Sequence, residues 1–411
     1  QWTSTHFIIH MSGQIKREFS AVHRKEAGPI WTEAGNSRIR LKREIPVYGF
    51  LPDMAFCGEG IGLAAKITSI FRPLEVEESK QEENRMFDVV ALGELLIDFT
   101  ENGLSQQGNG LFEANPGGAP CNVLAMLQKL GKKTAFIGKV GDDFFGRLLG
   151  ETIQKVGIDG RNLIYDSEIH TTLAMVHTFA DGDRDFSFYR NPGADMMLRE
   201  DEIDMNLVRN TRIFHFGTLS MTDEGVRQAT KAAVLEAKSQ GVLVSFDPNL
   251  RPPLWRTLED AREQIRWGLG HCDILKISDN EIQWLTGEES YTEGVKKIRR
   301  EFAIPLILVS MGKDGSRAYY QEEEKETGII VEVKPFLQEN TVETTGAGDT
   351  FCACVLNYIL DHGMEGLTVE NLQEMLTFAN AAASLITTRK GALWVMPSEE
   401  EIRKLLKDRG V

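Results

Sequence analysis

Thr344-Thr345-Gly346-Ala347-Gly348-Asp349-Thr350, running straight into the apolar stretch Phe351–Leu360, is the segment that organises this 411-residue chain. Three small residues stand ahead of an acid at the start of an apolar helix. Without bulky side chains, consecutive backbone amides can converge on an anion at a helix N-terminus. Asp349 sits beside that hole, where it can accept a proton from a hydroxyl group. An Asp at this point also serves widely as a helix N-cap, so the short motif alone leaves both readings open.

Upstream of the motif, short β-branched runs alternate with amphipathic stretches. The expected strands are 87–97, 134–140, 213–219, 242–247, 274–277 and 306–310; the expected helices are 119–130, 144–156, 224–239, 258–269 and 293–302. The strands are apolar on both faces, which suits parallel strands covered by helices on each side. Strand-then-helix repetition predicts a doubly wound, mostly parallel α/β sheet. Residues 171–179 and 186–189 have another texture: β-prone segments flanking the turn signal Asp181-Gly182-Asp183. They predict a small antiparallel flap, a device that can close over a site and exclude water.

The first 85 residues lack this periodicity and close on the polar run 75–85, which reads as a linker. Residues 1–85 are therefore an unassigned extension, and Met86 is an expected alternative start. A transit peptide is disfavoured by the acidic residues. The formal charge of -15 argues against nonspecific nucleic-acid binding. No apolar run approaches the roughly 20 residues of a membrane-spanning helix. Cys57, Cys121, Cys272, Cys352 and Cys354 form no C-x-x-C pair, so buried thiols in a reducing, cytoplasmic setting are expected. Gly60-Ile61-Gly62-Leu63-Ala64-Ala65 imitates a dinucleotide fingerprint but follows no convincing strand.

Thr344–Phe351 resembles the C-terminal signature of the ribokinase/PfkB carbohydrate kinases. Pro116-Gly117-Gly118-Ala119-Pro120-Cys121-Asn122 resembles their N-terminal signature, and the likeness runs from about Met86 to Val411, strongest toward fructokinases. The resemblance implies a ribokinase-like domain over 86–411, with a β lid built from segments near 98–116 and 169–190. It implies ATP-dependent phosphorylation of a sugar primary hydroxyl, most readily D-fructose to fructose 6-phosphate, with Mg²⁺. Asp349 is then the base and Gly346, Ala347 and Gly348 form the anion hole.

Sugar contacts are expected from Asp98, Gly117, Gly118, Asn122, Arg190 and Arg251. Lys276, Ser310, Gly312, Gly315 and Asn380 are expected on the nucleotide side. Glu281 falls in the family's metal-organising motif and would meet Mg²⁺ through water, although Ser278 replaces its usual Asn. Glu343 replaces the Asp that helps hold a monovalent cation such as K⁺, and its extra methylene places that site in question. Partners are the sugar and ATP, with pairing of two copies through the lid. Rivals are a 2-keto-3-deoxygluconate kinase, a ribokinase and a non-catalytic binding relative; a nicotinamide oxidoreductase would need the Gly60 segment to matter.

Overall fold

A computed structural model of the protein describes residues 7–10, 38–41, 86–178, 184–321 and 328–411. Backbone contacts divide the chain into Gln1–Glu83 and Asn84–Val411. In the first unit β1 (Phe7–His10) and β2 (Arg38–Leu41) pair antiparallel, with Phe7 opposite Leu41. The run 75–85, Cys57, the Gly60 segment and the turn Asp181–Asp183 lie outside the described residues.

The second unit opens with β3 (Phe87–Leu92), β4 (Leu96–Leu104), β5 (Gly110–Gly117) and α1 (Ala119–Lys129). Then come β6 (Thr134–Gly141), α2 (Phe144–Lys155), β7 (Asp159–Asp166), β8 (Leu173–Thr178), β9 (Arg184–Tyr189) and α3 (Met205–Arg209). Next are β10 (Thr211–Gly217), α4 (Glu224–Ser239), β11 (Leu243–Asp247), α5 (Leu258–Leu269), β12 (Ile274–Ser278), α6 (Asp279–Thr286) and α7 (Tyr291–Glu301). The chain ends with β13 (Leu306–Ser310), β14 (Ser316–Tyr320), β15 (Ile329–Val333), α8 (Ala347–His362), α9 (Val369–Ile386) and α10 (Glu399–Asp408).

Nine strands form one sheet in the order β15-β14-β13-β12-β11-β10-β3-β6-β7, parallel from β13 to β7 and antiparallel at the β14 and β15 edge. Successive residues of β3 supply opposite cores, as the strand period requires. Val89 and Ala91 pack with the α8 and α9 side, Val90 and Leu92 with the α4 and α5 side. The chain winds outward from β3 to β6 and β7, then returns to β10 and continues the other way. The sheet therefore has its switch point between β3 and β10, where open α/β sheets bind ligands at their C-terminal strand ends.

Two expectations need correction. The strand expected over 87–97 is broken: β3 ends at Leu92, the chain turns through Gly93–Leu95, and β4 enters a second sheet. A side chain at Gly93 would meet Pro120, so the turn packs closely on α1. The flap is a four-stranded mixed sheet in the order β5-β4-β8-β9. Its two hairpin pairs are antiparallel, but β4 and β8 run parallel. The apolar run hid the break because both halves are buried, one in each sheet.

Candidate active site

Asp349 occupies the first turn of α8, which opens at Gly346 in the left-handed region (φ 78°). That conformation favours Gly and turns the chain abruptly into the helix. Asp349 is only 9% exposed. Its Oδ2 accepts a 2.8 Å hydrogen bond from Nδ2 of Asn122 in α1, so the two glycine-bearing segments meet at this carboxylate. Asp349 does not cap its own helix by side chain; Gly346 takes the cap position. Burial raises the carboxyl above its ordinary range, and the Asn122 donor, Lys276 and Arg251 pull part of that back. Asn122 is buried as well, and its Oδ1 has no hydrogen-bond partner. Such an orphan acceptor is costly unless a ligand donor reaches it.

Lys276 reaches the same place from β12. A Cβ built on Gly348 would stand 3.1 Å from Lys276 Nζ, so the ammonium lies over the amide turn. Nζ pairs with Asp247 at 2.9 Å, at the end of β11, and both side chains are buried. Burial works against the Lys276 charge, yet the carboxylates of Asp247, Glu281 and Asp349 outweigh it and raise the ammonium. Burial lifts Asp247 to about 6 against the pull of Lys276, leaving the pair ionised at neutral pH. His215 on β10 faces Ser245 through Nδ1 at 3.0 Å, and burial together with the Lys276 charge holds it down to about 3. It is a neutral wall of the site.

The lid contributes Asp98, paired across the strands with Asn115. Asp98 belongs to β4 of the lid, beyond the break in the strand expected over 87–97. A Cβ on Gly117 would stand 2.5 Å from Asp98 Oδ2, and one on Gly118 (φ 128°) 2.4 Å from the Glu94 carbonyl oxygen. Gly118 therefore excludes a side chain, and one at Gly117 would displace the Asp98 carboxylate. Arg251 follows β11 and lies near enough to Asp349 to lower its carboxyl pKa; Nη1 also donates to the Leu250 carbonyl.

Several expected contacts are engaged elsewhere. The Arg190 side chain is 2% exposed and donates from Nε to Asp195, from Nη1 to Thr222 Oγ1 and from Nη2 to the Leu219 carbonyl. It is a tie at the root of the lid. Asn380 donates to the carbonyls of Val333 and Lys334, so it pins an edge strand where an adenine contact had been expected. Gly315 (φ 97°) adjoins the same stretch: a Cβ there would stand 2.2 Å from the Val333 oxygen. Ser310 ends β13 beside Ser278 and Ser316, and Gly312 opens the following 3-10 turn.

Glu281 forms a capping box with Ser278, and its Oε1 accepts from the Leu250 N–H at 2.7 Å. It ties α6 to the loop after β11, a role the metal reading had missed. Glu343 accepts from Thr345 Oγ1 at 2.6 Å and from the Gly391 N–H at 3.1 Å. A cation is held by oxygen acceptors, and Gly391 turns a donor to this carboxylate. The Gly391 N–H therefore occupies one edge of the Glu343 carboxylate. Asp247 and Glu94 went unassigned in the sequence. Each ends or follows an apolar parallel strand, the one signal that marked them.

The family model described as pfkB family carbohydrate kinase matches residues 86–399. The chain is similar to probable fructokinase-2 of Arabidopsis thaliana, 40% identical over 321 residues, covering 78% of this chain and 95% of that protein. Among solved structures it resembles a fructokinase with bound ATP from Xylella fastidiosa, with TM-score 0.70, 28% identity and coverage of 79% of this chain and 99% of that one. A fructokinase from Vibrio cholerae O395 in a fructose-, ADP- and calcium-bound form gives TM-score 0.67, 29% identity and coverage of 78% and 99%. The two glycine signatures that meet at Asp349 lie within the matched region, and the chain belongs to the pfkB family of carbohydrate kinases.

Proposed function

We propose that the protein is a fructokinase that transfers the γ-phosphoryl group of ATP to the primary hydroxyl of D-fructose. The observation that carries this reading is a buried carboxylate, Asp349, at the opening of a helix, bonded to Asn122 and flanked by Lys276. The hydroxyl oxygen bonds to the γ-phosphorus, the bond from that phosphorus to the bridging oxygen breaks, and ADP leaves. The hydroxyl proton passes to Asp349. The amides of Gly346 and Gly348, with Lys276, face the charge on the phosphoryl oxygens, while the Ala347 N–H, at 3.3 Å from the Thr344 carbonyl, would have to turn to join them; such preorganised donors dominate phosphoryl transfer. A raised carboxyl suits this work, because a base acts best with a pKa near the working pH.

Asp98, Asn122 and Arg251 hold the sugar, with the Asn122 Oδ1 accepting from a hydroxyl. Ser310, Gly312 and Gly315 border the nucleotide. Mg²⁺, carried in with the nucleotide, supplies charge neutralisation on its phosphates. Among the described residues no cluster of three or more His, Cys, Asp or Glu could hold such an ion alone.

The fructose preference draws on the likeness to fructokinases. A sugar acid would call for free basic side chains on the lid side, and Arg190 is committed to Asp195. Pairing of copies through the lid belongs to the same reading, supported by the exposed Leu104, Leu111 and Phe112 on β4 and β5. A cytoplasmic setting belongs to it too; among the described residues no helix is long and apolar enough to cross a membrane.

A coupled ADP-release assay over fructose, 2-keto-3-deoxygluconate, ribose and adenosine tests the reading. Fructose should give the highest kcat/KM. Asp349→Asn should lose about 10²–10⁴ in kcat while still binding sugar, and near-normal turnover in that variant would remove Asp349 from the mechanism.

A further inference from the structure

The chain crosses between the main sheet and the lid at four places: Gly93–Leu95, Gly118, Thr171–Thr172 and Arg190–Asn191. Buried polar contacts join these crossings. Glu94, 4% exposed, accepts the Ala119 N–H, the first amide of α1, at 2.9 Å, while its own carbonyl presses on Gly118. The Ile97 N–H donates to the Thr172 carbonyl at 3.2 Å. Thr172 Oγ1 and Arg190 Nε both donate to the Asp195 carboxylate, and Arg190 goes on to Thr222 and Leu219 beyond β10. Glu94 lies within electrostatic reach of both Asp195 and Arg190.

This cluster stands apart from the reacting groups, yet Glu94 grips the end of α1 that carries Asn122. We propose that Glu94 is a positioning residue for sugar capture, locking the start of α1, and through it Gly118 and Asn122, to the root of the lid. The inference rests on the reading of Asn122 as a sugar contact. An ionised carboxylate accepts an amide hydrogen bond more strongly than a neutral acid does, so the lock is tightest when Glu94 is charged.

Burial raises Glu94 to about 7, and the Asp195 charge adds to this, while its own backbone N–H, the Ala119 amide and Arg190 oppose it. The remaining groups facing it are the neutral thiol of Cys121 and, across the crevice at the switch point, His215 and Asp247. His215 stays neutral above about 3, while Asp247 changes charge near 6, so the Glu94→Gln variant separates the Glu94 contribution from that of Asp247. The raised value means that Glu94 is neutral below about 7 and charged above it. Sugar affinity should therefore fall as pH drops from 8 toward 6.

Calorimetric binding of fructose, or of whichever panel sugar is phosphorylated, tests this in the Asp349→Asn protein, where the base no longer titrates. Affinity should weaken about fivefold from pH 8 to pH 6, the difference between hydrogen bonds to charged and neutral acceptors. Adding Glu94→Gln should flatten that dependence at the weaker value. In the otherwise native enzyme, Glu94→Gln should raise KM for the sugar at pH 8 by the same factor and lower kcat less than Asn122→Ala does, because the Asn122 side chain that bonds Asp349 is still present. A pH dependence unchanged by Glu94→Gln overturns the proposal. If that variant does not fold, a flat profile in Asp349→Asn alone overturns it equally. Absence of turnover with every sugar of the panel would instead refute the kinase assignment, which separates the two failures.

Discussion

Asn122→Ala probes the contact on which the site turns. The lost bond is a 2.8 Å donation from Asn122 to the buried Asp349 carboxylate. A hydrogen bond to a charged group contributes about 1.5–3 kcal/mol, or roughly a 10- to 150-fold shift in the balance between ionised and neutral acid at about 1.4 kcal/mol per decade. Burial already favours the neutral form, so removing the donor favours it further. The acid limb of the kcat–pH profile should move toward higher pH, and at a fixed pH on that limb the rate should fall about tenfold or more. The assay is steady-state kcat from pH 5.5 to 9 at saturating sugar and ATP. Loss of the orphan Oδ1 should appear separately, as a higher KM for the sugar. The sign carries over to stability. A carboxyl raised by folding disfavours the folded state once pH exceeds its ordinary value, so the Tm deficit of Asn122→Ala should be larger at pH 8 than at pH 5.5. An acid limb that stays in place while only the plateau drops would refute the link between Asn122 and Asp349.

Two other changes test the neighbouring charges. Lys276→Met strands Asp247 in the interior and should cost about 3–5 kcal/mol by denaturant unfolding; Lys276→Met with Asp247→Asn should recover much of that stability but not turnover. Replacing Na⁺ by K⁺ at constant ionic strength should leave kcat unchanged in the native enzyme, and Glu343→Ala should lower it by releasing Thr345 and Gly391. A strong K⁺ activation of the native enzyme would show that Glu343 still serves a cation.

Local chemistry decided much of this protein in advance. Strands such as 274–277 and 306–310 are largely apolar on both faces, which suits a sheet covered by helices on each side, and they appear as β12 and β13. The small residues ahead of Asp349 announced a tight amide turn, and Gly346 adopts the backbone that only Gly takes without strain. The polar strand β7 escaped notice because its exposed edge residues dilute the period. The break between β3 and β4 escaped because burial looks the same in either sheet. What the sequence could not determine is which polar groups find one another. Asn122 and Asp349 lie 227 residues apart, Arg190 reaches Asp195, and Glu281 and Glu343 turn to backbone amides. Residue type states what a side chain can bond. Burial then penalises a polar group left without a partner, and only the packed sheet, lid and helices determine which partners lie within reach.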